Sequence, residues 1–259
     1  MLKHRDVRDD SRSNFANMCN DSLEHFEIFN NPDVSAELSI CSQVPFYYDR
    51  DSKYYDFYIH SNLSYSMTGA HKVANSIIIP LDIRKSSAFY LSHELCHVLK
   101  ERNSLECQDR NAYEEVIPIL MEFIMAYVYD YESFEVIVAN RCRYLKVIAR
   151  EFIELYKAYM SSFNIEDKEI YMSAINEKGR YLHSFYYALT LFELYMSEYK
   201  WFNGTNMTNQ EYILSKVANV LLCNESTKDM LHEVMDYLPN IDAIYERGID
   251  RINDVAFGI

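Results

Sequence analysis

His93-Glu94-Leu95-Cys96-His97 sets two imidazoles four residues apart, with a carboxylate directly after the first. On a helix, residues i and i+4 project from one face a turn apart, so His93 and His97 can offer nitrogens to a single cation. Glu94, beside the first ring, is then placed to take a proton from water activated at that cation. Two imidazoles and one further side chain suit a zinc ion and leave its fourth position open for water. That open position separates a catalytic zinc site from a closed structural one. One Zn2+ ion is therefore the expected cofactor.

The third ligand must come from elsewhere, and Tyr113-Glu114-Glu115-Val116-Ile117-Pro118-Ile119-Leu120-Met121-Glu122 offers it. Glu115 follows His97 by a short connection and the start of the next helix, which can cross the first and present a carboxylate. Glu114 is its immediate rival, since neighbouring helical residues differ by about 100° in direction. Glu122 lies two turns beyond Glu115 on the same face and can orient a ligand histidine through its other ring nitrogen.

These residues need elements to hold them. Ser86 or Ser87 is a natural N-cap for the motif helix, and Phe89, Leu91, Leu95, Val98 and Leu99 suit a mostly buried one. A helix is predicted from Arg110 to about Tyr131, with Pro118 inside it demanding a kink or a late start. Further helices are predicted over Glu132–Phe163, over Glu166–Trp201 with a break near Gly179, and from a capping box at Thr208–Glu211 to Leu222. Ser226–Leu238 and Ile241–Val255 complete the set, with Pro239 between them. Upstream, an amphipathic helix over Ser13–Phe29 precedes the β-like region. Val44–Tyr48 and Tyr54–Ile59 read as a hairpin, and Val73–Leu81 as a strand whose end or exposed edge Pro80 marks. A strand beside the motif helix can hold an extended peptide by adding it to the sheet edge. The expected fold class is α+β, predominantly α-helical. A single domain over 1–259 is expected, with a helix and small N-terminal sheet in 1–85, zinc-binding helices in 86–131 and a helical lobe in 132–259.

Bulk properties narrow the partners. Only five glycines and five prolines accompany 49% apolar residues, a balance that favours long helices over turn-rich β structure. A formal net charge of −14 repels a phosphate backbone, which excludes nucleic acid as a natural partner. The polar start MLKHRDVRDDSRSN lacks the apolar stretch of a secretory signal, and no apolar run is long enough to cross a bilayer. Six scattered cysteines, without a CxxC pair, read as reduced thiols, with Cys96 a small buried apolar residue. A cytoplasmic location is expected, away from the membrane, with a peptide or protein as substrate; oligomeric state is not legible.

HELCH followed by EEVIPILMEF resembles zinc metallopeptidases of the thimet oligopeptidase and oligoendopeptidase F type, over about residues 86 to 130. In that family the third ligand is a helical Glu followed by a nearby proline and a Leu-Met-Glu. The resemblance therefore implies Glu115 as the ligand and a zincin-like domain ending in a helical bundle. The chain departs from the family in carrying Cys96 where glycine is usual, in a shorter connection to the ligand Glu, and in lacking the large preceding helical lobe. A weaker echo is the run Gly179-Arg180-Tyr181-Leu182-His183-Ser184-Phe185-Tyr186-Tyr187. Family members carry a His and several tyrosines in a comparable helix, touching the substrate carbonyl. His183 and Tyr187, one turn apart on one face, are the implied oxyanion donors, with Tyr186 or Tyr181 as alternatives. The implied activity is peptide hydrolysis by water activated at zinc, Glu94 acting as general base. A catalytically weak or inactive regulatory or binding protein on the same scaffold is the alternative.

Overall fold

The protein is described by a computed structural model covering residues 58–62, 71–73, 76–80, 87–103, 113–129, 131–202, 204–238 and 240–257. The helix expected over Ser13–Phe29, the strand expected over Val44–Tyr48, and Ser86 and Pro239 lie outside these residues.

The described residues are predominantly helical. Three short strands come first: β1 (Tyr58–Asn62), β2 (His71–Val73) and β3 (Ser76–Pro80). Their order is β1-β3-β2, with β1 parallel to β3 (Tyr58 opposite Ser76) and β2 antiparallel to it (His71 opposite Ile78). Of the strand expected over Val73–Leu81, Ser76–Pro80 form β3, while Val73 ends the antiparallel β2.

The motif helix α1 spans Ser87–Asn103 and packs against β2, β3 and α2 (Val116–Tyr129). Helix α2 is the centre of the molecule, in contact with α1 and with the long hairpin of α3 (Tyr131–Ser161) and α4 (Ile165–Met196). Every residue from Val116 to Ala126 is buried, as expected of a helix apolar all round. Its start at Val116 is the late start that Pro118 demands of the helix expected from Arg110. Tyr113–Glu115 form a turn, and the Ile119 N–H donates to the Glu115 carbonyl at 3.1 Å as the first helical bond. Pro118 therefore sits in the first turn, where its missing N–H leaves no gap in the ladder.

Helix α4 is one continuous element. No break occurs at Gly179, which packs beneath Phe152 of α3. The helix ends at Met196 and does not run to Trp201, and buried Asn209 accounts for the early stop. Its Nδ2 donates to the carbonyls of Ser197 (3.0 Å) and Tyr199 (2.6 Å), while its Oδ1 accepts the Trp201 N–H at 3.1 Å. A side chain thus satisfies backbone groups that another helical turn would have paired.

Helices α5 (Asn209–Leu221), α6 (Thr227–Asp236) and α7 (Ile241–Phe257) complete the fold. The Thr208–Glu211 capping box opens α5, with both reciprocal bonds present, and Ser226 caps α6. The core joins Phe123 of α2, Phe134 of α3, and Phe185 and Phe192 of α4, their ring centroids 5.6–6.4 Å from Phe123. No helix among the described residues is long and apolar enough to cross a membrane.

Candidate metal centre

Helix α1 presents His93 and His97 from consecutive turns, both facing the mouth of α2. Their ring centroids are 5.1 Å apart and their Nε2 atoms 3.3 Å apart. Glu115, on the turn that opens α2, straddles the pair. One carboxylate oxygen lies 3.1 Å from His93 Nε2 and the other 3.5 Å from His97 Nε2. Among the described residues these three form a group that can hold a metal ion, their ligand atoms all within 4.8 Å of one another. Glu114 is exposed and is not part of it. The spacing is a test of fit. Nitrogen ligands about 2.0–2.1 Å from a tetrahedral zinc lie roughly 3.3 Å from each other. The observed separations of 3.3, 3.1 and 3.5 Å bracket that edge.

Behind His93 the arrangement continues inward. Glu122, two turns along α2 from Glu115 and fully buried, places Oε1 2.7 Å from His93 Nδ1. Arg141 of α3 grips the same carboxylate with both arms of its fork: Nε donates to Oε2 at 2.8 Å, and Nη2 donates to Oε1. Its remaining arm, Nη1, donates to the Tyr181 hydroxyl of α4 at 2.7 Å. Four helices therefore meet at one imidazole.

Without a metal, the electrostatics of this cluster are those of alternating charges. Burial alone would lower the pKa of His93. The Glu122 charge and the bonds from Glu115 and Glu122 outweigh it, pushing His93 up to about 10. Burial alone would raise Glu115, but the bond from His93 and the charges of His93, His97 and Arg141 hold it at about 2. Glu122 also stays below the ordinary carboxylate range, since the Arg141 charge and His93 outweigh its burial. Protonated His93 thus lies between two carboxylates, Glu115 at its Nε2 and Glu122 at its Nδ1.

The remaining expected site residues divide into four. Glu94 is buried on α1, near enough to Cys96 for its charge to add to the burial that raises the thiol's pKa. His183 and Tyr187 are packed together, ring centroids 4.6 Å apart. Tyr113 lies against both at 5.5 and 5.9 Å, two residues before Glu115. His183 Nδ1 is buried without a hydrogen-bond partner among the described residues, and burial lowers its pKa. Tyr181 stands close enough to Glu115 and Glu122 for their charges to raise its pKa, after the larger effect of burial. Tyr186 is drawn elsewhere: its hydroxyl donates to Asp242 of α7 at 3.1 Å and its ring packs on Tyr245.

Sequence reasoning missed Arg141. A signal existed, since Arg141 interrupts the apolar stripe of Phe134, Val138, Leu145 and Ile148 on α3. A cation on a core-facing stripe calls for a buried anion.

Compared with known proteins, the chain matches no family model, no curated protein and no solved structure. The class assignable from fold and geometry is a predominantly helical protein with, among the described residues, one candidate metal centre.

Proposed function

We propose that this chain is a zinc-dependent peptidase, with one Zn2+ held by His93, His97 and Glu115. The observation that carries this reading is the convergence of two imidazoles from an HExxH helix and one carboxylate from the next helix within 4.8 Å. Two imidazoles and a carboxylate form a donor set of catalytic zinc, with a position left for water. Bound zinc supplies Lewis acidity, which lowers the pKa of water and polarises a carbonyl. Glu94 takes the proton of the attacking water and delivers it to the leaving amine. His183 and Tyr187, beside the turn that bears Glu115, are the groups to donate to the carbonyl oxygen as it gains charge. The hydroxyls of the two alternatives are engaged elsewhere, Tyr186 donating to Asp242 and Tyr181 accepting from Arg141.

A zincin-like architecture belongs to this reading. Strands β2 and β3 pack on the motif helix, and an extended peptide or protein segment can add to such a sheet. A reducing, cytoplasmic setting belongs to the same reading, in which the scattered cysteines are thiols. One observation favours the competing reading of a weak or inactive zinc-binding scaffold: Glu94 is only 8% exposed, which restricts the access of water to its carboxylate.

The test is metal content followed by turnover on a panel of quenched fluorescent peptides. Stoichiometric zinc is expected, with chelator-sensitive cleavage that Glu94→Gln lowers about 10²–10⁴-fold. Zinc-loaded protein inert on every peptide assigns the binding role, and absence of stoichiometric zinc overturns both.

A further inference from the structure

We propose that Arg141 is a positioning residue for the metal centre, holding His93 in its ligating tautomer through Glu122. This rests on the metal-centre reading above and extends it by a residue with no place in that mechanism. Glu122 is fully buried, and a buried carboxylate stays ionised only when paired and hydrogen-bonded. Arg141 provides both, since its planar fork reaches the two oxygens of Glu122 together. An ionised carboxylate only accepts hydrogen bonds, so the hydrogen in the 2.7 Å contact must sit on His93 Nδ1. A neutral His93 then keeps its lone pair on Nε2, the atom 3.3 Å from His97 Nε2 and 3.1 Å from Glu115. The third arm of the fork, on the Tyr181 hydroxyl, ties the guanidinium to α4 and fixes its plane.

Lysine cannot reproduce this. Its ammonium is a single point and cannot grip both oxygens of Glu122 while also reaching Tyr181. Removing either Arg141 or Glu122 frees the ring of His93 to rotate or to carry its proton on Nε2, and both changes remove the same ligand atom. The two residues therefore act in series, and their effects on metal affinity do not add.

The experiment is zinc competition against a fluorescent zinc indicator on the full chain. It compares wild type, Glu122→Gln, Arg141→Gln, Arg141→Lys and the double Gln variant, with folding monitored by circular dichroism. Expected is a 10–100-fold weaker zinc Kd, on the order found when such outer partners are lost, in Glu122→Gln and Arg141→Gln. The double variant should be no weaker than the worse single one, and Arg141→Lys should recover only part of the loss. A purely structural arginine would lower thermal stability but leave the zinc Kd of the folded protein unchanged, and that result overturns the inference while the metal centre stands. Additive losses in the double variant also overturn it. Should Arg141→Gln fail to fold, Arg141→Lys decides: a wild-type Kd overturns the inference, and a weakened one supports it. Wild-type protein that binds no zinc overturns the metal centre itself, and the inference with it.

Discussion

At the scale of residues, the centre is a set of charges whose occupancy depends on whether a metal or a proton sits among them. In chelated protein His93 is held at about 10 against an unfolded value of 6.5, because Glu122 and Glu115 outweigh the cost of burial. A folded pKa above the unfolded one contributes stability that is complete below pH 6.5 and lost as pH rises towards 10. Metal-free protein should therefore lose thermal stability across that window, and Glu122→Gln should flatten the decline. Zinc faces the same proton. At neutral pH its binding to His93 must release one, so the observed affinity should rise about tenfold per pH unit for each proton displaced. Calorimetry in buffers of differing ionisation enthalpy measures that release directly, and zinc binding with no proton released would contradict the charge arrangement at His93.

Elements are held by close packing, which two helical glycines report with opposite signs. Gly248 of α7 faces Leu189 of α4, and an added Cβ would lie 2.8 Å from Leu189 Cγ. Leu189 is fully buried and cannot swing aside, so Gly248→Ala should destabilise by about 1–3 kcal/mol through overpacking. Gly179 of α4 has ordinary room instead, the nearest atom being Phe152 Cε2 at 3.6 Å. There alanine removes the entropic cost of a mid-helix glycine, and Gly179→Ala should stabilise by about 0.5–1 kcal/mol. Urea unfolding of both variants reads the two signs. Equal effects would mean that the α4–α7 contact is looser than described.

For the whole molecule, the core and the centre share one end of the α3–α4 hairpin, while its tip carries apolar side chains in water. Met160, Phe163, Ile165 and Ile170 are 64%, 101%, 74% and 66% exposed. The hairpin is therefore sustained by its inner seam and by its anchorage on α2 and α7, not by these residues. Phe163→Ser with Ile165→Ser should change unfolding free energy by no more than about 0.5 kcal/mol per site. The same pair should leave the zinc Kd at its wild-type value. A larger loss of stability would show that the tip is covered in solution.

Much of this was legible from neighbours along the chain. The i, i+4 spacing of His93 and His97, the reciprocal cap at Thr208 and Glu211, and the helical periods after Ser87 depend on short-range geometry, which the order of residues specifies directly. Periodicity could also put Glu115 and Glu122 on one face. It could not choose Glu115 over Glu114, because that depends on where the turn before Pro118 lets α2 begin. Nor could it stop α4 at Met196 or draw Tyr186 towards Asp242. Each of those outcomes is settled by a partner distant in sequence or by a packing contact. Arg141 is the clearest case: alone it is a charge on an apolar stripe, and only the meeting of α1, α2, α3 and α4 gives that charge a buried carboxylate to hold.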